Sequence, residues 1–526
     1  MPENFTMVDY AVLVLYFGAM ASLGPIFAKG SKTTEGYLLG DRNFPGWLVG
    51  FSMFATSISS VAFVGYPGDS FKTAWYRMVP NYTMPLAVLF AMFFFLPFFR
   101  RTQITSAYEY LEARFGPITR MYAAAAFVVM QVVRVSLILY LVSVLLYTIT
   151  GINPYVAILL GGVITSFYTV LGGITAVMWT DFIQSFVLWI GALICLFLIV
   201  YRLPGGVGEV IDVGMANHKF GLYDFLTPAD KTMSPVPFMG SVHEKTIFLF
   251  LLVGLGNWLT EYSGNQNVVQ RYAASKNIKQ ARIAMWVCAC FSVPTWAMFM
   301  FLGTACYVFY QRFPDPAVTD MLTGVRKSEE ILPFFVTNEL PQGLTGLVIA
   351  GVLAAAMSSL SSSISAVSAV SLVDIYKRHI ATDRDDKHYV FVAKAVGWAM
   401  SVIMIGGAAV LYAYDSKTLL DVATVLTALT SGGLLGLYSI GFFTKVGGDR
   451  SILLAILFTT AYTLYMTLVG LKIIPESMSL NHNYYTGLFG HIIMFVLGYA
   501  VGKLWPDPKK DLHNLTVWTQ DKTPIE

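Results

Sequence analysis

Apolar runs of about twenty residues, the length needed to cross a bilayer, recur along this chain with short polar joints between them. Thirteen can be drawn, at approximately 7–28, 45–66, 79–99, 121–149, 154–171, 177–201, 246–270, 281–310, 343–376, 388–413, 418–441, 447–470 and 484–504. They predict an all-α polytopic membrane protein with one membrane domain. Two joints, 202–245 and 311–342, are long enough to carry structure, and short lids over a vestibule are expected there. A shorter joint, Ile104 to Gly116, has the spacing of an amphipathic helix capped by Thr105 or Ser106.

Three runs are too polar for lipid. The second contains Phe54-Ala55-Thr56-Ser57-Ile58-Ser59-Ser60, and the seventh contains Asn257 to Asn267 with Glu261 among them. The ninth carries Ser358, Ser359, Ser361, Ser362 and Ser363. Broken backbone at membrane depth is tolerated where it lines a protein cavity, and its freed carbonyls can coordinate a cation. The second and seventh runs lie five spans apart, the spacing expected of the first helices of two inverted five-helix repeats around a midplane site. On the ninth, Ser358, Ser361 and Ser362 stack on one helix face and offer oxygens to a small hard cation. The competing reading is close helix packing, with each hydroxyl bonded back to its own backbone.

Composition agrees with the pattern and narrows the function. Of 526 residues, 56% are hydrophobic and 12% charged, which excludes an ordinary soluble enzyme, and a net charge of +3 spread over many joints offers no nucleic-acid surface. With the N-terminus outside, inner joints hold 21 Lys and Arg and outer joints 11, so the basic residues favour N-out and C-in. Glu3 and Asp9 flank the first run where a signal peptide would be basic, so a retained span is expected. The four cysteines form no paired framework. No HExxH, GxSxG or P-loop motif appears, and no signalling module follows Lys503, which disfavours an enzyme or a sensor. A channel is a further alternative, although paired broken helices suit alternating access better.

Five motifs, in order, identify a relationship: Phe54-Ala-Thr-Ser-Ile-Ser-Ser60, Ile104-Thr-Ser-Ala-Tyr-Glu-Tyr-Leu-Glu-Ala-Arg-Phe115, Gly172-Gly-Ile-Thr-Ala-Val-Met-Trp-Thr-Asp-Phe-Ile-Gln184, Val268-Val-Gln-Arg-Tyr272 and Ala354-Ala-Ala-Met-Ser-Ser-Leu-Ser-Ser-Ser363. Over roughly residues 35–440 the chain resembles the sodium/solute symporter family, and most of all its bacterial sodium/sialic acid symporters. The resemblance implies a leucine-transporter-type fold with a five-plus-five inverted repeat. On that reading 7–28 is an extra helix, 45–201 and 246–441 are the repeats, 447–504 holds two further helices, and 505–526 is a short cytoplasmic tail. It implies sodium-coupled import of a small polar solute, sialic acid or a related carboxylated sugar, by a protein of the plasma (inner) membrane. The expected partners are the solute, sodium and the lipid bilayer, with a single chain as the working unit.

Site residues follow from the same resemblance. The main sodium would be held by the carbonyls of Ala55, Ile58 and Ala355 and the hydroxyls of Ser358 and Ser359. A second would use Asp181 with Ser358, Ser361 and Ser362; the bland reading of Asp181 is a helix N-terminal acid facing water at the inner edge. Solute would meet Ser57, Ser59, Arg77, Asn81, Arg134 and Glu261. Arg134 suits a carboxylate by its permanent charge and fork geometry. Glu261, whose partner is either Arg134 or Arg77, leaves a neutral sugar, polyol or zwitterion as the alternative cargo. One sodium carried with a monovalent anion moves no net charge, whereas two move one charge, worth about 2.3 kcal/mol per 100 mV.

Overall fold

A computed structural model describes residues 5–28, 32–226, 232–414, 432–506 and 511–521. The chain opens with α1 (Met7–Ala28) and a short α2 (Thr34–Leu39), and the second expected span is then split into α3 (Gly46–Ser57) and α4 (Ser60–Lys72). The two halves are bent by 57°. Ile58, with φ −101° and ψ 103°, carries the break, and Ser59 caps the new helix by accepting a hydrogen bond from the Ala62 amide. Small and hydroxyl-bearing residues weaken the helix here, and a Ser N-cap restarts it.

There follow α5 (Met84–Thr102), α6 (Glu109–Arg114), α7 (Pro117–Thr150) and a 49-residue element, α8 (Pro154–Arg202). A straight helix of that length would extend roughly 74 Å, more than twice the hydrocarbon thickness. Gly173, at φ 60° and ψ −155°, interrupts it. The two halves fold together, because Gln184 Nε2 donates to the Tyr168 hydroxyl at 3.3 Å. The expected spans 154–171 and 177–201 therefore meet at a single glycine rather than across a five-residue joint.

The second half begins with another divided span, α10 (Ile247–Gly264) and α11 (Gln266–Ala273), parted at Asn265. It continues through α12 (Ile278–Arg312) to α15 (Leu344–Val370), which runs on through a π-turn at Ser371–Tyr376 into α16 (Lys377–His379). Next come α17 (Asp386–Tyr414), α18 (Leu434–Phe443), α19 (Asp449–Gly470) and α20 (Thr486–Leu504). Of the expected span 418–441, residues 418–431 lie outside the described residues. Every residue of α15 from Val348 to Val370 is buried, so the serine-rich helix is the axis of the molecule. Phe93, Phe197, Val402 and Phe458 stand exposed on surrounding helices, as lipid-facing side chains do.

Both long joints are structured. Described residues between 202 and 245 include α9 (Gly206–Ala216) and the antiparallel pair β1 (Tyr223–Asp224) and β2 (Ser234–Pro235), while 311–342 contains α13 (Pro316–Thr323) and α14 (Ile331–Glu339). The buried Lys219 donates to the carbonyls of Phe71, Lys72 and Thr73 and so caps the C-terminus of α4. The amphipathic helix is shorter than its sequence pattern: the Ser106 hydroxyl accepts the Tyr108 amide at 3.2 Å, and Glu109 accepts the Thr105 and Ser106 amides. Arg114, fully buried, donates to the carbonyls of Gly441, Thr444, Val446 and Gly447 and closes the end of α18.

Gly173 occupies backbone space that other residues rarely enter, and an added Cβ would lie 2.7 Å from the Tyr37 carbonyl oxygen. Gly173→Ala is expected to cost about 1–3 kcal/mol, seen as a lower melting temperature in detergent. Gly208→Ala, where a Cβ meets nothing within 4 Å, should leave melting unchanged or slightly raised.

Candidate sodium and solute site

Two broken helices and α15 converge on one polar region. In α15 the serines of the run 358–363 back-bond to their own helix: Ser359 to the Ala355 carbonyl at 3.2 Å, Ser361 and Ser362 to the Ser358 carbonyl at 3.0 and 2.6 Å, and Ser363 to the Ser359 carbonyl at 2.9 Å. Packing thus accounts for part of the run. Ser358 does more, since its hydroxyl lies 3.1 Å from the Ala355 carbonyl and 3.0 Å from the Ala55 carbonyl across the interface. The expected main-site groups Ala55, Ala355, Ser358 and Ser359 are therefore linked in one hydrogen-bonded cluster. Ile58, buried beside them, sits at the break, where the helix gives up its regular carbonyl pairing.

The second cluster contains a residue that sequence reasoning passed over. Asp181 is wholly buried rather than water-facing, and it forms an ion pair with the equally buried Arg271 at 3.0 Å. Ser52 donates to the same carboxylate oxygen at 2.6 Å, while Ser361 lies 3.4 Å from the other. Arg271 spends its remaining donors on Ser52 Oγ, the Asn267 carbonyl and Ser362 Oγ, and Ser362 also meets Thr56 at 2.9 Å. Asp181, Ser361 and Ser362 are thus brought together as expected. Ser358 turns only its carbonyl toward them, its hydroxyl being directed at Ala55 and Ala355. A guanidinium occupies the side of Asp181 where a cation was anticipated. Its signal in the sequence was a charge in Val268-Val-Gln-Arg-Tyr272, immediately after a polar helix break, with a membrane carboxylate to match.

The six solute residues fall into separate groups. Ser57 bonds back to the Met53 carbonyl and lies 3.9 Å from Cys288 Sγ, which also receives the Tyr262 hydroxyl, so Cys288 joins the two broken spans. Ser59 serves as the cap described above. Asn81 donates to the Tyr66 hydroxyl, and Arg77 pairs with Asp69 at 3.5 Å, both along α4. Asp69 stands roughly 14 Å of helix rise from Ser60, so Arg77 is held away from the break and is not the partner of Glu261. Glu261 instead accepts from Asn265 at 2.7 Å, and the charge acting on it is that of Arg134. Among the described residues Arg134 makes no ion pair within 4 Å. Glu261 also lines a cavity of about 370 Å³ with Asn257, Thr260, Asn265 and Tyr108.

Removing one member of a buried ion pair strands the other, at a cost of about 3–5 kcal/mol. Arg271→Gln is therefore expected to lower the melting temperature sharply, and adding Asp181→Asn should recover much of the loss. A double variant that melts no higher than Arg271→Gln alone would show that the pair is not the source of the effect.

Comparisons with known proteins agree with this arrangement. The profile of the sodium:solute symporter family matches residues 37–445. The chain is 30% identical over 508 residues to the sodium/sialic acid symporter SiaT of Proteus mirabilis, covering 97% of each. It is 28% identical over 503 residues to the sodium/sialic acid symporter NanT of Aliivibrio fischeri, covering 96% of this chain and 94% of that one. Its fold matches the substrate-bound outward-open state of a Na+-coupled sialic acid symporter with a TM-score of 0.85 at 29% identity, over 96% of this chain and 99% of the other. The architecture is accordingly of the leucine-transporter type, with its five-plus-five inverted repeat. Broken helices around a serine-lined polar core, in a chain matched along nearly its whole length, lead to one assignment: this multi-pass membrane protein belongs to the sodium:solute symporter family and moves its solute together with sodium.

Proposed function

We propose that the chain imports sialic acid or a closely related carboxylated sugar, driven by a sodium ion held between α3 and α15. The observation that carries this reading is the Ser358 hydroxyl spanning the Ala55 and Ala355 carbonyls, at 3.0 and 3.1 Å. Those two carbonyls, the Ile58 carbonyl and the hydroxyls of Ser358 and Ser359 make five neutral oxygens. Such a set suits a monovalent ion that must be released every cycle. Rotation of the two serine hydroxyls exposes their lone pairs to the ion in place of the present hydrogen bonds. The arriving ion then ties the broken span to α15.

A second sodium at Asp181, Ser361 and Ser362 competes with Arg271 for one carboxylate. Two cations beside a single buried acid repel each other, so that ion requires Arg271 to swing away. For the solute, Arg134 keeps its guanidinium free of tight ion pairing and is the group offered to a carboxylate, with Ser57 and Ser59 as hydroxyl partners at the break. Glu261, close enough to act on Arg134 electrostatically, supports a second reading, a zwitterion or amino sugar whose positive group meets this acid. The excess of basic residues in one set of joints supports an N-terminus outside and a C-terminus in the cytoplasm, in the plasma (inner) membrane. The groups proposed to hold sodium all come from one chain, which supports a working monomer surrounded by lipid.

Uptake into proteoliposomes tests the reading. Labelled N-acetylneuraminate is expected to accumulate down a sodium gradient and not in choline. Ser358→Ala combined with Ser359→Ala should raise the sodium needed for half-maximal uptake about tenfold or more, the equivalent of about 1.4 kcal/mol. Arg134→Ala should weaken competition by carboxylated sugars more than by their neutral analogues. Unchanged sodium dependence in the serine variant would remove the sodium assignment, and equal losses for both sugar types would remove that of Arg134.

A further inference from the structure

The helix that carries the sodium serines has no cap of its own. Gly343 stands at the N-cap of α15 without a side chain, and the first turn leaves amides that need acceptors. Those acceptors come from α1, more than 330 residues earlier. Asp9 is fully buried, and its Oδ1 accepts the Gly343 amide at 2.9 Å and the Gly346 amide at 2.7 Å. These are the N-cap and N3 amides, the two that a capping box satisfies within one helix. Oδ2 accepts the amide and hydroxyl of Thr6, both at 2.9 Å, which fixes the carboxylate on its own side. A negative charge at this end also complements the dipole of α15.

The contact leaves little room for sliding. A Cβ on Gly346 would lie 2.7 Å from Asp9 Cα and 2.8 Å from the Asp9 carbonyl oxygen, so the backbones of α1 and α15 approach as closely as only glycine allows. Further along, the Tyr16 hydroxyl reaches Met357 Sδ at 3.7 Å, next to Ser358. At its other end α1 stacks Phe27 on Trp179, two residues from Asp181. The extra helix thus touches the sodium-site helix at its first turn and again beside its serines.

We propose that Asp9 is a positioning residue for sodium coupling: by capping α15 in trans it sets the axial register at which Ser358 and Ser359 meet the Ala55 carbonyl. The proposal rests on the sodium reading above. Gly346 and Ser358 are twelve residues apart, roughly 18 Å of buried helix, which transmits an axial shift from one end to the other. A binding constellation loses its geometry with displacements of about 0.5 Å. Asp9→Asn keeps the shape but weakens the cap, while Asp9→Glu keeps the charge and changes its reach.

The test uses the purified full chain in detergent, with melting temperature followed against sodium concentration and choline holding ionic strength constant. Asp9→Asn is expected to raise the sodium concentration at half effect about fivefold, and Asp9→Glu to raise it as well. Thr6→Val, which removes only the hydroxyl on Oδ2, should leave that midpoint in place. If the Asp9 variants melt lower in choline and sodium alike with the native midpoint, Asp9 is merely structural and the proposal falls. If Asp9→Asn does not fold, the Asp9→Glu midpoint decides by the same criterion. Ser358→Ala with Ser359→Ala is measured alongside: a native midpoint there overturns the sodium site itself, whereas a shift there with native midpoints for Asp9 overturns only the role of Asp9.

Discussion

A hydroxyl buried at membrane depth must find an acceptor, and α15 places seven serines between Ser358 and Ser368 in the middle of the protein. Most meet this demand inside their own helix. Ser358 meets it partly outside, on a carbonyl that α3 exposes at its broken end. The rest of the structure follows from that requirement. A regular α3 would keep its carbonyls for its own helix and leave the serine face nothing to engage. The break therefore accompanies the serines, and capping by Ser59 and Lys219 lets α4 resume beyond it and end cleanly.

The charged core obeys the same logic at a higher cost. Asp181 and Arg271 are tolerable in the interior because each neutralises the other and Ser52, Ser361, Ser362 and the Asn267 carbonyl complete their hydrogen bonds. Arg271 comes from α11, beyond the second break, whereas Asp181 comes from α8 and Ser52 from α3. One ion pair thus connects both broken spans to the helix beside α15. α3 contributes to both clusters, through Ala55 to the first and Ser52 to the second.

How much of this could be read in the sequence depended on whether the signal was local. Span positions were legible from apolar length alone, and the breaks at Ile58 and Asn265 from polar residues where lipid tolerates none. Ser358, Ser359 and Asp181 were conspicuous for the same reason. Arg271 was not, because a basic residue at the end of a span looks like an ordinary flanking charge until a carboxylate is found opposite. Asp9 looked like the flank of an N-terminal span, and its partners lie on the ninth. Arg77 and Glu261 could be paired on paper, but Asp69, eight residues before Arg77 in the chain, claims the arginine first. Gly173 was visible as a joint, although only backbone geometry shows that one residue suffices to turn the chain.

One sodium ion held between α3 and α15 should tie the two helices together. Spin labels at two exposed positions, Trp47 on α3 and Gln342 just before α15, read by pulsed electron resonance in the full chain, report whether it does. Sodium in place of choline is predicted to narrow the distance distribution to a single value. A distribution that is the same in both salts would mean that sodium does not join α3 to α15.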